Sequence, residues 1–190
     1  MTGLSRLSFL ASLVFLTLGS ATGAQERPQL VPVKDADISY KITRPNQPAI
    51  VERRRWLAGE HLERVDGPDR STTIFDRNKG EIILLNAAKR TFRKLEGSGR
   101  RPPEPGTGVA LRKGAELVVA GLHCSEWMWA EDIETHTGCV TPEGVLLRLV
   151  IDGRTIIEAR SVHFAPQKAE LFQVPPNYAP ALAPEGAPEP

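Results

Sequence analysis

Leu122–Ala130 (LHCSEWMWA), Glu134–Thr141 (ETHTGCVT), Val145–Ile151 (VLLRLVI) and Thr155–Phe164 (TIIEARSVHF) follow one another with three-residue breaks. Each segment is short and rich in β-branched or aromatic residues, and the breaks hold Asp, Pro and Gly. That pattern predicts antiparallel strands joined by tight turns. In the third segment Val145, Leu147, Leu149 and Ile151 are apolar while Arg148 interrupts the other face, so the odd positions are expected to face the core. In the fourth, Ile157 and Ala159 share a face opposite Glu158 and Arg160. A two-residue Asp152-Gly153 turn would set Leu147 against Glu158. A three-residue Asp152–Arg154 loop, or an equivalent bulge, sets it against Ala159 and is the expected solution.

The same signals extend upstream. Ile38, Tyr40 and Ile42 alternate with polar residues. Ile50–Leu57 and Glu60–Val65 flank Ala58-Gly59, and Thr72–Phe75 and Glu81–Leu85 flank a turn-rich stretch from Asp76 to Gly80. Asn86–Lys89 makes a further turn before a strand at Thr91–Leu95, and another strand is expected over Ala115–Ala120. No long helical period interrupts the series. The fold class is therefore all-β and mainly antiparallel, either a barrel or a strongly curved open sheet.

The flanks read differently. Arg6, the apolar run Leu7–Leu18 and the small residues Gly19–Ala24 have the layout of a secretory leader, with a cut expected after Ala24. A membrane anchor is the competing reading, but the run is short for a bilayer span. Residues 25–34, with Pro28 and Pro32, read as an extended lead-in, and residues 35–178 as a single β domain. Within it, 96–108 carries four glycines and three prolines without an apolar residue, and is expected to be a flexible loop. Residues 179–190 hold four prolines and little apolar bulk, the composition of a disordered tail. The expected destination is the periplasm or the medium.

Removal of the leader takes Arg6 away and leaves 23 basic against 23 acidic residues. A balanced chain is a poor match for nucleic acid, whose phosphates call for a basic excess. Cys124 and Cys139 are the two cysteines. In an exported chain a disulfide is the default, and a hairpin centred between Glu131 and Asp132 would place them opposite one another. A zinc set of His123, Cys124, His136 and Cys139 is the sharper alternative. Adjacent His123 and Cys124 point to opposite strand faces, which argues against convergence on one ion, so no metal site is expected. No catalytic motif and no cofactor signature is found: Gly106-Thr107-Gly108 meets Leu111 where a dinucleotide loop needs its third glycine. Trp127 and Trp129 share a strand face. They read either as cross-strand packing or, with Leu147 and Leu149, as an apolar ligand face. Alternation adds Ile82, Leu84, Leu117 and Val119 as candidates for such a face.

Several segments carry a resemblance. They are Arg55-Trp56-Leu57, Leu84-Leu85-Asn86 leading to Arg90-Thr91-Phe92, Val119–Cys124, Cys139–Arg148 and Leu171–Tyr178. Together they resemble a family of exported bacterial proteins of unknown function that is similar to the periplasmic lipoprotein carrier LolA and its lipid-binding relatives. The resemblance implies a half-barrel whose concave face is closed by helices or loops and, in the carriers, holds acyl chains. The Gly/Pro-rich 96–108 segment departs from the helical plug of those carriers. The expected function is a non-enzymatic periplasmic binding module for an apolar or lipid ligand, or alternatively a structural or protein-interaction domain of the envelope without a ligand cavity.

Overall fold

A computed structural model describes residues 27–96 and 110–181. The expected leader, most of the 96–108 segment and residues 182–190 lie outside the described residues. The strands are β1 (Ala36–Ile42), β2 (Ile50–Leu57), β3 (Leu62–Asp66), β4 (Ser71–Asp76), β5 (Glu81–Asn86) and β6 (Thr91–Glu96). They continue with β7 (Arg112–Val119), β8 (Leu122–Glu131), β9 (Glu134–Val140), β10 (Leu146–Ile151), β11 (Arg154–Phe164) and β12 (Ala179–Pro180). Two short 3-10 turns, Ala58–Glu60 and Ala169–Phe172, complete the described structure. No helix among the described residues is long and apolar enough to cross a membrane.

All the strands form one open sheet in the order β12-β6-β5-β4-β3-β2-β1-β11-β10-β9-β8-β7. It consists of two antiparallel meanders, β1–β6 and β7–β11, joined where β1 pairs with β11. The exception to antiparallel pairing is β12, which lies parallel to β6. The order places β6 and β7, consecutive in the chain, ten strands apart, and a flat sheet would separate them by about 48 Å. Residues 97–109 reach about 50 Å even when fully extended. Curvature of the sheet relieves that demand, as in the half-barrel expected from the sequence.

The turns follow from local chemistry. Ala120-Gly121 and Asp152-Gly153 join their strands with both central residues at positive φ (51° and 79°, 46° and 76°), the twist-compatible hairpin geometry. The β10–β11 connection is thus the two-residue turn, and a bulge between Leu149 and Val150 corrects the register so that Arg148 faces Glu158. The bulge alternative is realised, not the three-residue loop. A second bulge between Leu146 and Arg148 breaks the strict alternation expected for β10. Leu147 is fully buried, while Leu146 and Leu149 together join a different cluster. The third strand begins at Leu62 and not at Glu60, because the chain first makes a 3-10 turn and then passes through His61 at φ 54°. Ala179 and Pro180, expected in the tail, instead pair with Thr91 and Phe92, and Ala181 N–H donates to the Phe92 carbonyl (2.7 Å).

Three apolar clusters organise the interior. The first joins Ile38, Tyr40 and Trp56 with Leu147, Ala159 and the disulfide. The second joins Ile74, Ile83 and Leu85 with Phe172 from the C-terminal segment. The third joins Leu111, Trp127, Trp129 and Val140, with Leu30 of the lead-in packed against it.

Candidate binding face

The ladder registers from β1 to β6 run without a shift, so parity assigns side chains to faces directly. On the face that carries Ile38 and Tyr40, two cross-strand rows run toward the β6 edge. One is Trp56, Glu63, Phe75, Ile82 and Leu95, and the other is Arg54, Val65, Thr73, Leu84 and Arg93. Exposure rises along the first row. Trp56 and Glu63 are buried, Phe75 and Ile82 half-buried, and Leu95 is 37% exposed. Val65 and Leu84 in the second row are half-buried. Among the described residues this apolar surface has no layer packed over it comparable to the segment on the opposite face.

A charged group borders it. Arg77 Nη2 donates to Glu63 Oε2 (2.8 Å), and Arg54 Nε donates to Glu52 Oε1 (2.6 Å) with its Nη1 3.8 Å from Glu63 Oε1. The two guanidiniums stack on aromatic rings, Arg54 over Tyr40 at 5.3 Å and Arg77 over Trp56 at 5.0 Å. Burial works against the Arg54 charge, but Glu52 and Glu63 outweigh it and hold its pKa above the ordinary value. Burial pushes the Tyr40 phenol up, and its hydroxyl donates to the Leu146 carbonyl (2.7 Å). The small side chain of Ala159, opposite Tyr40 on the intervening strand, leaves room for that reach. Glu52, Arg54, Glu63, Val65, Thr73, Phe75 and Arg77 line an open recess of about 390 Å³. This face therefore offers apolar contact beside a fixed, charge-balanced network.

The opposite face of the same strands is partly covered, and an open recess of about 680 Å³ remains beside Phe172 and Val174, between Leu62, Ile83 and Lys94. Ile74, Ile83, Leu85 and Phe92 lie under Leu171, Phe172, Val174 and Tyr178. Arg64 Nη1 donates to the Leu171 carbonyl (2.6 Å) and anchors that segment. Arg64 is also paired to Asp66, which binds Arg55 and accepts from Thr72 (2.7 Å).

Cys124 and Cys139 are joined in a disulfide with Cα atoms 5.4 Å apart. The register differs by two residues from the sequence expectation. The turn is Asp132-Ile133, Cys139 lies opposite Glu126, and the bridge runs to the diagonal position. Of the four residues suggested as a ligand face, Trp127, Trp129 and Leu149 share a cluster, whereas Leu147 is packed in the disulfide core. Both tryptophans are buried, and the cavity beside them is about 30 Å³, the space of one water molecule rather than of an acyl chain. Ile82 and Leu84 do lie on the bare face, while Leu117 and Val119 pack partly buried against the disulfide core. His136 stacks on Trp129 (5.2 Å between centroids). Among the described residues no three His, Cys, Asp or Glu side chains gather as a metal set.

A single open, mainly antiparallel sheet, covered by the C-terminal segment on part of one face among the described residues, has the architecture of a curved half-barrel. Comparison with solved structures finds a similar fold in MucB, with a TM-score of 0.55 at 13% identity over 78% of this chain and 60% of that one. The Pseudomonas aeruginosa MucA/MucB complex gives a TM-score of 0.57 at 13% identity, over 78% and 58%. MucB in complex with MucA(peri) gives 0.54 at 12% identity, over 78% and 57%. At this identity the likeness is one of fold, and the chain spans about 60% of the length of the MucB it matches. No protein-family model and no curated protein matches the chain.

Proposed function

We propose that this chain is an exported, non-enzymatic binding module of the cell envelope that holds an apolar ligand on the bare Tyr40 face of β3–β6. The observation that carries the reading is the pair of cross-strand rows in which Val65, Phe75, Ile82, Leu84 and Leu95 stay half-buried or exposed. Contiguous apolar surface of that kind marks a binding site more often than chance exposure. Export is supported by the leader pattern and by a disulfide of the sort oxidising compartments allow. A second reading, a protein-interaction domain without a ligand cavity, draws on the open shape of the recess and on the fold likeness to MucB, which is found in complex with MucA. The test is titration of the secreted protein with a fluorescent fatty acid, alongside mass spectrometry of co-purified lipid. Saturable binding at micromolar levels, weakened by Ile82→Asn, supports the ligand reading. Absence of lipid in both measurements rejects it and leaves the interaction domain.

A further inference from the structure

The lead-in passes over the third apolar cluster and sets Leu30 into it. The seat belongs to the sheet: Trp127, Trp129, Val140 and Leu111 are buried around it. The plug does not: Pro28 and Leu30 are half-buried and Arg27 and Gln29 exposed, while the chain just after it is held by Val31 against the disulfide core and by buried Pro32. The contacts that hold the segment include Val33 N–H to the Glu143 carbonyl (2.9 Å) and a Lys34–Glu143 ion pair (3.3 Å) whose lysine is 60% exposed. An exposed pair of this kind contributes little.

Two glycines shape the seat. Gly144 sits at φ 91°, and a Cβ there would come within 2.5 Å of the Val31 carbonyl oxygen, so the lead-in passes because no side chain blocks it. A Cβ on Gly138 would lie 3.2 Å from Leu146 and 3.3 Å from Trp129, so its absence lets those two close the floor. Even so, about 30 Å³ remains open between Pro28, Leu30 and the tryptophans. The seat is larger than its plug.

We propose that this seat is a binding site for an extended apolar peptide segment, occupied here in cis by the chain's own lead-in. The occupant displays the chemistry the site accepts: an extended backbone stiffened by Pro28 and Pro32, with one apolar side chain pointed at two tryptophans. The unfilled space selects for a side chain larger than leucine. A tethered plug competes at a high effective concentration, so a foreign segment must displace it, and removing the plug raises apparent affinity. The site is separate from the bare face of β3–β6, and either can fail without the other.

The experiment uses fluorescein-labelled peptides spanning residues 27–34, one with the native sequence and one carrying Leu30→Phe. They are titrated into the whole secreted protein as wild type, Leu30→Ala and Leu30→Asp, with anisotropy and tryptophan emission as readouts. Both variants should bind at least about tenfold more tightly than wild type, and the Leu30→Phe peptide should bind more tightly than the native one. Equal affinities across the three proteins overturn the proposal. Loss of cooperative unfolding in both variants overturns it too, because Leu30 would then be core and not a displaceable plug. Oleate binding without peptide binding assigns the seat to acyl chains instead. A wild-type dimer that vanishes in both variants assigns it to a second copy's lead-in.

Discussion

The two faces of β3–β6 are made from the same strands and end differently. Along β5, Ile82, Ile83, Leu84 and Leu85 are four apolar residues in a row, the pattern of a strand buried on both sides. Ile83 and Leu85 meet that expectation under Phe172, Leu171 and Val174. Ile82 and Leu84 point the other way, toward Phe75, Leu95 and Val65, and remain half-open. Among the described residues the C-terminal segment covers part of one face, and no comparable segment lies on the other. Apolar side chains retained on a face without a described covering layer are what a binding surface needs and what a purely structural sheet would replace with polar residues.

The comparison can be broken most forcefully at Phe172, which fills the covered face and is 4% exposed. Phe172→Ala should cost about 3–5 kcal/mol by the usual measure for a buried aromatic. Hydrogen exchange should accelerate in β4–β6 while β8–β10 stay protected. Uniform acceleration would mean that the two meanders unfold as one unit and that the cover is not a local device. Cys124→Ser gives the complementary pattern. The disulfide closes a separation of 15 residues, worth about 3 kcal/mol in the chain-entropy model. Its loss should loosen β8 and β9 first and leave the C-terminal cover in place, as read by the same exchange measurement.

Acid should undo the cover more gently. Burial pushes the Asp66 carboxyl up, but hydrogen bonds from Arg64 and Thr72 and the charges of Arg64 and Arg55 outweigh it and hold its pKa below the ordinary value. Arg53 does the same for Asp37, helped by Arg55. A carboxylate whose pKa is depressed by folding binds fewer protons in the native state than in the unfolded one. Its contribution is therefore present above the unfolded pKa, near about 4, and is lost as pH falls through the folded value. Thermal stability should decline below about pH 4, and Asp66→Asn should flatten that decline while lowering stability at neutral pH. An unchanged acid profile in Asp66→Asn would remove the Arg64–Asp66 anchor from the account of the covered face.

Much of this architecture was legible because strand alternation and turn chemistry are local. Ile50–Leu57 is legible to the residue, and so is the β10–β11 register, which the bulge between Leu149 and Val150 delivers in place of the three-residue loop. What failed was non-local or depended on bulges. The β8–β9 turn places Ile133 at its tip, 99% exposed, so an apolar residue marks the turn where a polar pair was expected. The bulge between Leu146 and Arg148 sends Leu147 and Leu149 to different clusters, which no alternation count reveals. The candidate face was half legible. Ile82 and Leu84 stand out as extra apolar positions, but their joining to Phe75, Val65 and Leu95, and the burial of Glu63 between two arginines, arise from cross-strand pairing.

The smallest effect on stability gives the sharpest comparison, because it comes from neighbours in one strand. Ile82 and Ile83 have the same side chain, the same strand and the same helix-free surroundings, and differ in which face they point to. Ile83→Asn places an amide against Phe172 and Ile74 at a position 9% exposed, at the wall of the recess, and should cost about 2–4 kcal/mol. Ile82→Asn places the same amide where solvent already reaches, and should cost less than about 1 kcal/mol. On binding the order reverses. Ile82→Asn should weaken the fatty-acid titration by about tenfold, since it puts a polar group in the middle of the row from Phe75 to Leu95, while folded Ile83→Asn should bind as wild type. Chemical denaturation and the titration, run side by side on the two variants, decide the matter. If Ile82→Asn proves as destabilising as Ile83→Asn, both faces of β5 are closed in the whole chain, and the bare face is no longer available as a binding site.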